Sequence, residues 1–339
     1  MMKIAAVICE FNPLHEGHKY VISEAKRLSD AVVCVMSGNF VQRGESAIKD
    51  KYDRAKEALL AGADLVVELP FPWCAAPAEF FARAGVTVAA ALGATELVFG
   101  SESGDVSMIA RAAVLSDDDF FIGEVEKRHK GNAGYAEARY DAASELFPDA
   151  APVFNNSNDM LAAEYIRQAN KTGVALDFCA IRRIDTKSAS QLREEAGYRD
   201  KLFEIEKTLF RLGKFSRDSF DSESGILRLL ERASMSEEPF PESAKTKKYT
   251  DARLRRAALF AVTGVNKENL AAQPEFTVLL AANKTGRRII DSVHGIEVVT
   301  KPADAVCSQY ASEAYADRLY TLAHGLDGDC FLKKSPFIY

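Results

Sequence analysis

The sequence of 339 residues has no closely spaced cysteines, no long apolar run and no excess of positive charge. Its six cysteines lie far apart, which excludes a disulfide framework and a zinc ribbon and predicts a reducing, cytoplasmic location. No stretch approaches the ~18 apolar residues of a membrane span, and the first apolar run is too short for a signal peptide, so no membrane partner is expected. The net charge of -6 argues against nucleic-acid binding by the whole surface and leaves only a local basic patch open.

Up to about residue 198, short β-rich runs alternate with longer helical patterns. The predicted strands cover residues 4–9, 31–36, 64–69, 96–99 and 176–181. None of them alternates polar with apolar residues, as expected for strands that are covered on both faces. Helical patterns at 17–28, 51–60 and 77–92 separate the strands. This order predicts an α/β fold with a doubly wound, Rossmann-like parallel sheet.

Beyond residue 198 the pattern changes, and a chain of this length is expected to form two domains. Helical patterns at 202–212, 224–233, 249–262 and 308–323 dominate, with a linker at 236–243. Two short strands at 276–281 and 296–300 flank a predicted turn at 283–286. We therefore predict one domain at 1–198 and a smaller, mostly helical one at 199–339.

The segment from Asn12 to His18 follows the first predicted strand and opens the first predicted helix. Open α/β sheets bind ligands beyond the carboxyl ends of their strands, and the free N–H groups of a helix N-terminus suit phosphate. Gly17 would let a ligand approach the backbone closely. His15 and His18 would share one face of the first turn and donate hydrogen bonds to phosphate oxygens. We therefore predict that both histidines are catalytic and stabilise charge on phosphorus and on a leaving pyrophosphate.

A metal site and an ordinary surface or core position are the alternatives to a phosphate site for this histidine pair. A metal site is disfavoured because the sequence has only three other histidines and no clustered ligand set, so no protein metal ligand is predicted. A surface or core role is the usual one for a bare His-x-x-His pattern. The preceding strand, the Asn-Pro turn, the intervening glycine and the amphipathic helix that follows favour the phosphate site.

The residues His15, Glu16, Gly17 and His18 resemble the His-x-Gly-His signature of the nucleotidylyltransferase superfamily. The resemblance implies the nucleotidylyltransferase type of Rossmann-like fold. It also implies attack by an acid or a phosphate on the α-phosphate of a nucleotide, with release of pyrophosphate and no covalent enzyme intermediate. In such enzymes the two histidines contact phosphates.

Further segments narrow this resemblance to one family. They are residues 9–20, 36–45, 64–71, 99–102, 158–161, 182–184, 188–193 and 245–253. Together they resemble the bacterial tRNA(Met) cytidine acetate ligase family nearly end to end. Two departures stand out, because the family pattern has a proline directly before Asn158 and a threonine where this sequence has Ser190.

The resemblance implies a ligase that uses ATP, accompanied by Mg²⁺, to convert acetate into acetyl-adenylate. The acetyl group then passes to N4 of the wobble cytidine of elongator tRNA(Met), giving N4-acetylcytidine. Residues 1–198 would form the ATP-binding domain and residues 199–339 the RNA-contacting one. Acetate and tRNA are the expected partners, and the oligomeric state stays open.

The predicted site has two sets of residues. The ATP contacts implied by the family are Val7, Ile8, Cys9, Glu10, Phe11, Asn12, Pro13, Leu14, His15, Glu16, Gly17, His18, Lys19, Tyr20, Gly100, Asn158, Arg183 and Ile184. The candidate phosphate or acceptor contacts are Gly38, Asn39, Gln42, Arg43, Ser188, Ser190 and Arg193. An arginine can clamp an anion, and hydroxyls at a helix start suit phosphates. Taken alone, Ser188 is more often a helix cap without a ligand, and Gly100 is equally often a simple turn glycine.

A short basic stretch around Tyr249 is the candidate RNA contact. Its predicted RNA-binding residues are Lys245, Lys247, Lys248, Arg253 and Arg256. Such a concentration of charge fits a phosphate backbone. By composition alone, a run of basic residues is more often a solvated helix face than an RNA contact. The family resemblance favours the RNA contact.

Two other functions remain open from the sequence. One is an adenylyltransferase for a small phosphorylated metabolite, which leaves the second half of the chain without a role. The other is a non-catalytic RNA-binding protein with a vestigial nucleotide site, which the intact His15, Gly17 and His18 disfavour. Pyrophosphate exchange with and without acetate separates these functions.

Overall fold

A computed structural model describes residues 2–130, 134–246 and 248–339, so the predicted RNA contact Lys247 lies outside the described residues. The strands are β1 Ile4–Cys9, β2 Ala31–Ser37, β3 Leu65–Leu69, β4 Glu96–Ser101, β5 Asp177–Arg182, β6 Phe276–Ala282, β7 Glu297–Val299 and β8 Phe337–Ile338. The helices are α1 Glu16–Leu28, α2 Lys51–Leu60, α3 Ala78–Ala91, α4 Val106–Leu115, α5 Asp119–Lys130, α6 Tyr135–Leu146, α7 Ser157–Thr172, α8 Ala189–Glu195, α9 Leu202–Arg211, α10 Ser224–Ser234, α11 Asp251–Thr263, α12 Lys267–Ala271, α13 Lys284–Ile290 and α14 Tyr310–His324. None of the helices in these ranges has both the length and the apolar character that crossing a membrane requires.

The strands join in one sheet with the order β5-β4-β1-β2-β3-β6-β7, and β8 pairs with β6. The five strands from β5 to β3 are parallel, which confirms the predicted fold class. From β1 the chain builds outward through β2 and β3, and it then returns to the other side of β1 to form β4. This reversal leaves a crevice at the carboxyl ends of β1 and β4, where open sheets bind ligands.

The composition of the strands explains why the sheet is central. β2 and β3 consist almost entirely of aliphatic residues and are buried along their whole length, so both of their faces are covered. Helix α1 buries Ile22 and Ala25 on one face, and the exposed Lys19 and Lys26 lie on the other. The predicted strands in the first half of the chain agree with the structure to within two residues at each end.

The second half of the chain also contributes to this sheet. Strand β6 pairs antiparallel with β3, and the Thr277 hydroxyl donates to the Glu68 carbonyl at 2.6 Å. One continuous hydrophobic core contains residues from both halves. The described residues after 199 form six α-helices and three strands, so helices dominate this half as predicted, and the domain boundary at residue 198 stays a prediction.

The predicted turn at residues 283–286 is wrong. Asn283 instead caps α13, because its Oδ1 accepts hydrogen bonds from the N–H groups of Thr285 and Gly286 at 2.9 and 3.0 Å. Asparagine favours helix caps as well as turns, and the local sequence does not distinguish the two. The helix carries the chain across the sheet, so β6 and β7 pair in parallel.

Candidate active site

A cavity of about 350 Å³ lies at the carboxyl ends of β1 and β4, in the crevice left by the sheet reversal. Most of the predicted site residues line it, although they come from separate parts of the chain. They are Val7, Ile8, Cys9, Glu10, Phe11, Asn12, His15, Gly17, His18, Tyr20, Gln42, Arg43, Gly100, Asn158, Arg183, Ile184, Ser188, Ser190 and Arg193. The fold therefore brings the two predicted sets of contacts into one pocket.

The chain turns sharply between β1 and α1. Phe11 has a φ of 48°, and the peptide bond between Asn12 and Pro13 is cis. The Asn12 side chain is buried, and its Oδ1 accepts a hydrogen bond from the N–H of Ile48 at 2.8 Å. Arg193 donates to the Asn12 carbonyl at 2.5 Å. The turn is thus held from two distant parts of the chain, and it directs the start of α1 towards the cavity.

The two predicted catalytic histidines stack on each other, with ring centroids 3.7 Å apart. His15 caps α1, because its Nδ1 accepts a hydrogen bond from the N–H of Gly17 at 3.1 Å. The proton of its neutral ring therefore lies on Nε2. A methyl group at Gly17 would come within 2.9 Å of the His15 ring, so this close packing requires glycine.

Both histidines lose basicity in this position. Burial, together with the neighbouring His15 and Arg183, lowers the pKa of His18 to about 3. Burial and Arg183 also lower the pKa of His15. The rings are therefore neutral at pH 7, and each can donate one N–H to an anion while Arg183 supplies positive charge.

Glu102 organises the opposite wall of the cavity. Its carboxylate accepts a hydrogen bond from the Asn158 amide at 2.6 Å and lies 3.3 Å from the Arg183 guanidinium. The buried Asp159 carboxylate accepts from the N–H groups of Glu102 and Ser103, each at 3.0 Å. These contacts fix α7 against the end of β4. Asn158 and Arg183 are consequently held in place before any ligand arrives.

Arg54 joins the ends of β1 and β2 from inside the protein. Its side chain is fully buried, and it donates to the backbone carbonyls of Glu10 at 2.5 Å, Ser37 at 3.2 Å and Lys49 at 3.0 Å. Two basic residues on one helix face, here Lys51 and Arg54, are by sequence alone typical of a solvated surface. The structure instead uses the guanidinium to satisfy carbonyl groups that the strand ends leave unpaired.

A buried charge cluster, formed by Lys51, Glu68, Glu313 and Asp317, lies behind the loop that follows β2. The Lys51 ammonium is 2.7–2.9 Å from all three carboxylates. Burial raises the pKa of Glu68 well above its usual value, and it raises the pKa of Asp317 to about 7. Burial alone would also raise the pKa of Glu313, but Lys51 lowers it. Both upward shifts favour the protonated carboxyls, which brings the cluster closer to neutral.

Comparison with known proteins identifies the architecture. The model of the HIGH Nucleotidyl Transferase family matches residues 2–199 and 199–328. A tRNA(Met) cytidine acetate ligase of Pediococcus pentosaceus is 32% identical over 95% of this chain and 95% of its own length. The chain belongs to the tRNA(Met) cytidine acetate ligase family. It is therefore an enzyme of the HIGH nucleotidyl transferase type, as the resemblance implied.

Other ligase relatives agree with this assignment. A tRNA(Met) cytidine acetate ligase of Syntrophotalea carbinolica is 33% identical, over 85% of this chain and 82% of its own. The crystal structure of Thermotoga maritima TmcAL bound with alpha-thio ATP superposes with a TM-score of 0.88 at 26% identity, covering 99% of each chain. The fold of this ligase is thus shared over its whole described length.

Some predicted contacts do not line the cavity of this ligase. They are Pro13, Leu14, Glu16, Lys19, Gly38 and Asn39. Asn39 lies instead against the buried charge cluster, where its amide donates to Asp317 at 2.8 Å. A methyl group on Gly38 would clash with the Glu68 carboxylate. This part of the loop holds the cluster in place, and only Gln42 and Arg43 of the predicted loop contacts reach the pocket.

Sequence reasoning missed the apolar part of the pocket. The additional lining residues are Val21, Val41, Glu45, Phe81, Phe99, Ser157, Leu161, Ala189, Tyr165 and Thr186. Leu161 and Tyr165 lie one turn apart on α7, after Asn158. Once Asn158 had been identified as a contact, the spacing of Leu161 and Tyr165 from it could have indicated that they also face the cavity. However, an apolar helix face that lines a cavity has the same sequence pattern as one that packs into the core.

The predicted RNA contacts of the ligase divide into two groups. Lys245 and Lys248 are exposed. Arg253 lies 3.0 and 2.7 Å from the carboxylates of Asp221 and Glu223, which neutralise its charge. Arg256 is largely enclosed, and its guanidinium donates to the Gln42 carbonyl at 3.3 Å. Arg256 thus supports the loop beside the cavity, and Lys245 and Lys248 are the described residues of the predicted set that stay exposed.

Proposed function

We propose that this ligase converts acetate and ATP into acetyl-adenylate and transfers the acetyl group to N4 of the wobble cytidine of elongator tRNA(Met). The single observation that carries the proposal is the stacked pair His15 and His18 at the start of α1, inside the cavity at the sheet reversal. Relatives of similar length carry the name tRNA(Met) cytidine acetate ligase, and a structural neighbour binds alpha-thio ATP.

The cavity has separate regions suited to the parts of ATP. The start of α1 offers the phosphates the positive end of a helix dipole together with the side chains of His15 and His18. Ser188, Ser190 and Arg193 line the same pocket and suit the outer phosphates. The apolar residues Leu161 and Phe99, beside Gly100, suit the nucleoside.

In the first step an acetate oxygen attacks the α-phosphorus, and pyrophosphate leaves. The N–H groups of neutral His15 and His18 stabilise the charge on the α-phosphate, and Arg183 adds positive charge. Mg²⁺ enters with the triphosphate, because it binds phosphate oxygens and water more readily than a protein cage. Among the described residues, no group of three His, Cys, Asp or Glu side chains is arranged to hold a metal ion.

In the second step the exocyclic amine of cytidine attacks the acetyl carbonyl, and AMP leaves. Arg43 is exposed at the mouth of the cavity, where it can meet acetate or the RNA backbone.

Two assays test the whole proposal. The enzyme should catalyse exchange of pyrophosphate into ATP only with acetate present, and elongator tRNA(Met) should gain the mass of one acetyl group. Exchange that does not depend on acetate would favour another adenylyltransferase, and no exchange with any acid would favour a binding protein.

The exposed lysines Lys245 and Lys248 should contribute to tRNA affinity. We expect the double variant Lys245→Gln/Lys248→Gln to bind tRNA more weakly and to lower the slope of log K against log salt by roughly 1–2, since each phosphate contact contributes slightly less than one. Acetate-dependent pyrophosphate exchange should not change. Gel-shift titration at several salt concentrations measures the effect.

The matched control replaces two exposed lysines of α5, Lys127→Gln/Lys130→Gln, which lie in another part of the sequence. Equal losses in both double variants would mean that only the overall charge matters. An unchanged salt slope in the first would remove Lys245 and Lys248 from the RNA interface.

A further inference from the structure

The Glu10 carboxylate lies in the active-site cavity and has no role in the proposed adenylation step. Its Oε1 accepts a hydrogen bond from the N–H of Gln42 at 2.8 Å. Among the described residues, no donor is within hydrogen-bond distance of its other oxygen, Oε2. The residue directly follows β1 and begins the turn that leads to His15, and Arg54 donates a hydrogen bond to its backbone carbonyl. Glu10 is thus a fixed carboxylate with one oxygen available to a ligand.

The second reaction step needs a group that accepts a proton. The cytidine amine is a weak nucleophile because its lone pair is delocalised into the ring. As its nitrogen forms a bond to the acetyl carbon, it becomes positively charged and must lose a proton. The AMP phosphate leaves as a stable anion and needs no proton from the enzyme. A base beside the acceptor amine would therefore accelerate this step.

The other titratable groups of the cavity are poorly suited to that task. Burial raises the pKa values of Cys9 and Tyr165 well above their usual values, so both stay protonated at neutral pH. His18, with its pKa lowered to about 3, is a very weak base. Glu45 is drawn to Arg255, which lies 3.6 Å from its carboxylate. This leaves Glu10.

We propose that Glu10 is the general base of the acetyl-transfer step. Its Oε2 accepts the proton from N4 of cytidine while the C–N bond forms and the bond between the acetyl carbon and the AMP oxygen breaks. AMP takes the electron pair of the broken bond, and Glu10 later returns the proton to water. This inference rests on the proposed function, because it assigns a role in the second half of that reaction.

The surroundings of Glu10 suit a base. Burial raises its pKa above the usual value of 4.5, although the Gln42 N–H and the charges of Arg43, Arg193 and Arg54 oppose this shift. A higher pKa makes the carboxylate a stronger base, and the positive charges of the arginines favour its ionised form. The remaining ionisable groups that face it are Cys9 and Tyr165, and both are neutral.

The test measures the two half-reactions separately in Glu10→Gln. Glutamine keeps an oxygen that can accept from the Gln42 N–H, so the loop should stay in place. Because Glu10 also lines the ATP cavity, acetate-dependent pyrophosphate exchange is measured alongside, without tRNA, and should fall far less than acetyl transfer does. Acetyl transfer, measured in a single turnover after enzyme loaded with ATP and acetate is mixed with tRNA, should fall by at least about 100-fold, the usual effect of a lost general base.

The pH profile provides a readout that a structural role would not change. The rate of acetyl transfer by the wild type should rise with pH as Glu10 ionises and then level off. Glu10→Gln should lack this rise. Glu10→Asp restores a carboxylate on a side chain one methylene shorter, so it should recover part of the rate and the rise with pH. Glu126→Gln, an exposed change on α5, is the matched control and should behave as the wild type.

Each outcome has a distinct meaning. Transfer by Glu10→Gln at the wild-type rate, or an unchanged pH profile, would overturn the role of Glu10 as a base. Equal loss of both half-reactions would also overturn it, and would make Glu10 a residue that positions the adenylation site. A wild type without acetate-dependent exchange would contradict the proposed function itself.

Discussion

Replacing His18 with alanine should slow acetate-dependent pyrophosphate exchange by roughly 100- to 1,000-fold, the usual effect of removing one donor that stabilises a developing charge. His18 is neutral at pH 7, since burial and its neighbours lower its pKa to about 3, so its contribution comes from a positioned N–H and not from a fixed charge. The loss should therefore appear mainly in kcat, with a smaller change in the KM for ATP.

The stack on His15 makes a control for folding necessary. His18 packs against the rings of His15 and Phe11, so the melting temperature of His18→Ala is measured to show that the variant is folded. His294→Ala, a change at an exposed histidine that does not line the cavity, should leave exchange unchanged. Exchange by His18→Ala within about 3-fold of the wild type would exclude His18 as a stabiliser of the transition state, because loss of such a donor costs far more.

Lys51→Met should reduce the free energy of unfolding by about 3–5 kcal/mol, as expected when one member of a buried ion cluster is removed. Lys51 is the one cation within 3 Å of Glu68, Glu313 and Asp317 in the described part of the chain. Methionine has a similar volume, so the loss reflects uncompensated carboxylates more than a cavity. Urea unfolding at pH 7 measures the change.

Asp317→Asn provides the matched control for Lys51→Met, because it removes a negative charge from the same cluster. The pKa of Asp317 in the folded protein is about 7, above its usual value of 3.8, so its contribution to stability is complete below pH 3.8 and is lost as the pH rises through 7. Asp317→Asn should therefore gain stability relative to the wild type between pH 5 and 8. Lys51→Met should show the opposite trend, because its carboxyls must ionise without a partner. A cost for Lys51→Met that is independent of pH would contradict this account of the cluster.

The buried pair Lys51 and Arg54, and the contacts made by Glu102, depend on tertiary packing that the sequence did not reveal. Lys51 and Arg54 follow the spacing of an ordinary helix, and nothing nearby in the chain marks them as buried. The partners of Lys51 in α14 lie 262 and 266 residues away along the chain. Glu102 likewise has no motif of its own, and its role appears only once α7 packs against β4.

The sequence by itself determined the parallel strands of the first half, the turn into α1 and the positions of His15, Gly17 and His18. These features depend on local patterns: aliphatic runs of strand length, a helix start, and residues close together in the chain. Only the tertiary structure decided that β6 joins the sheet beside β3, that Lys51 and Arg54 are buried, and which apolar residues line the cavity. These features depend on contacts between segments that lie far apart in the chain. Such contacts do not produce a periodic pattern that can be read from the sequence.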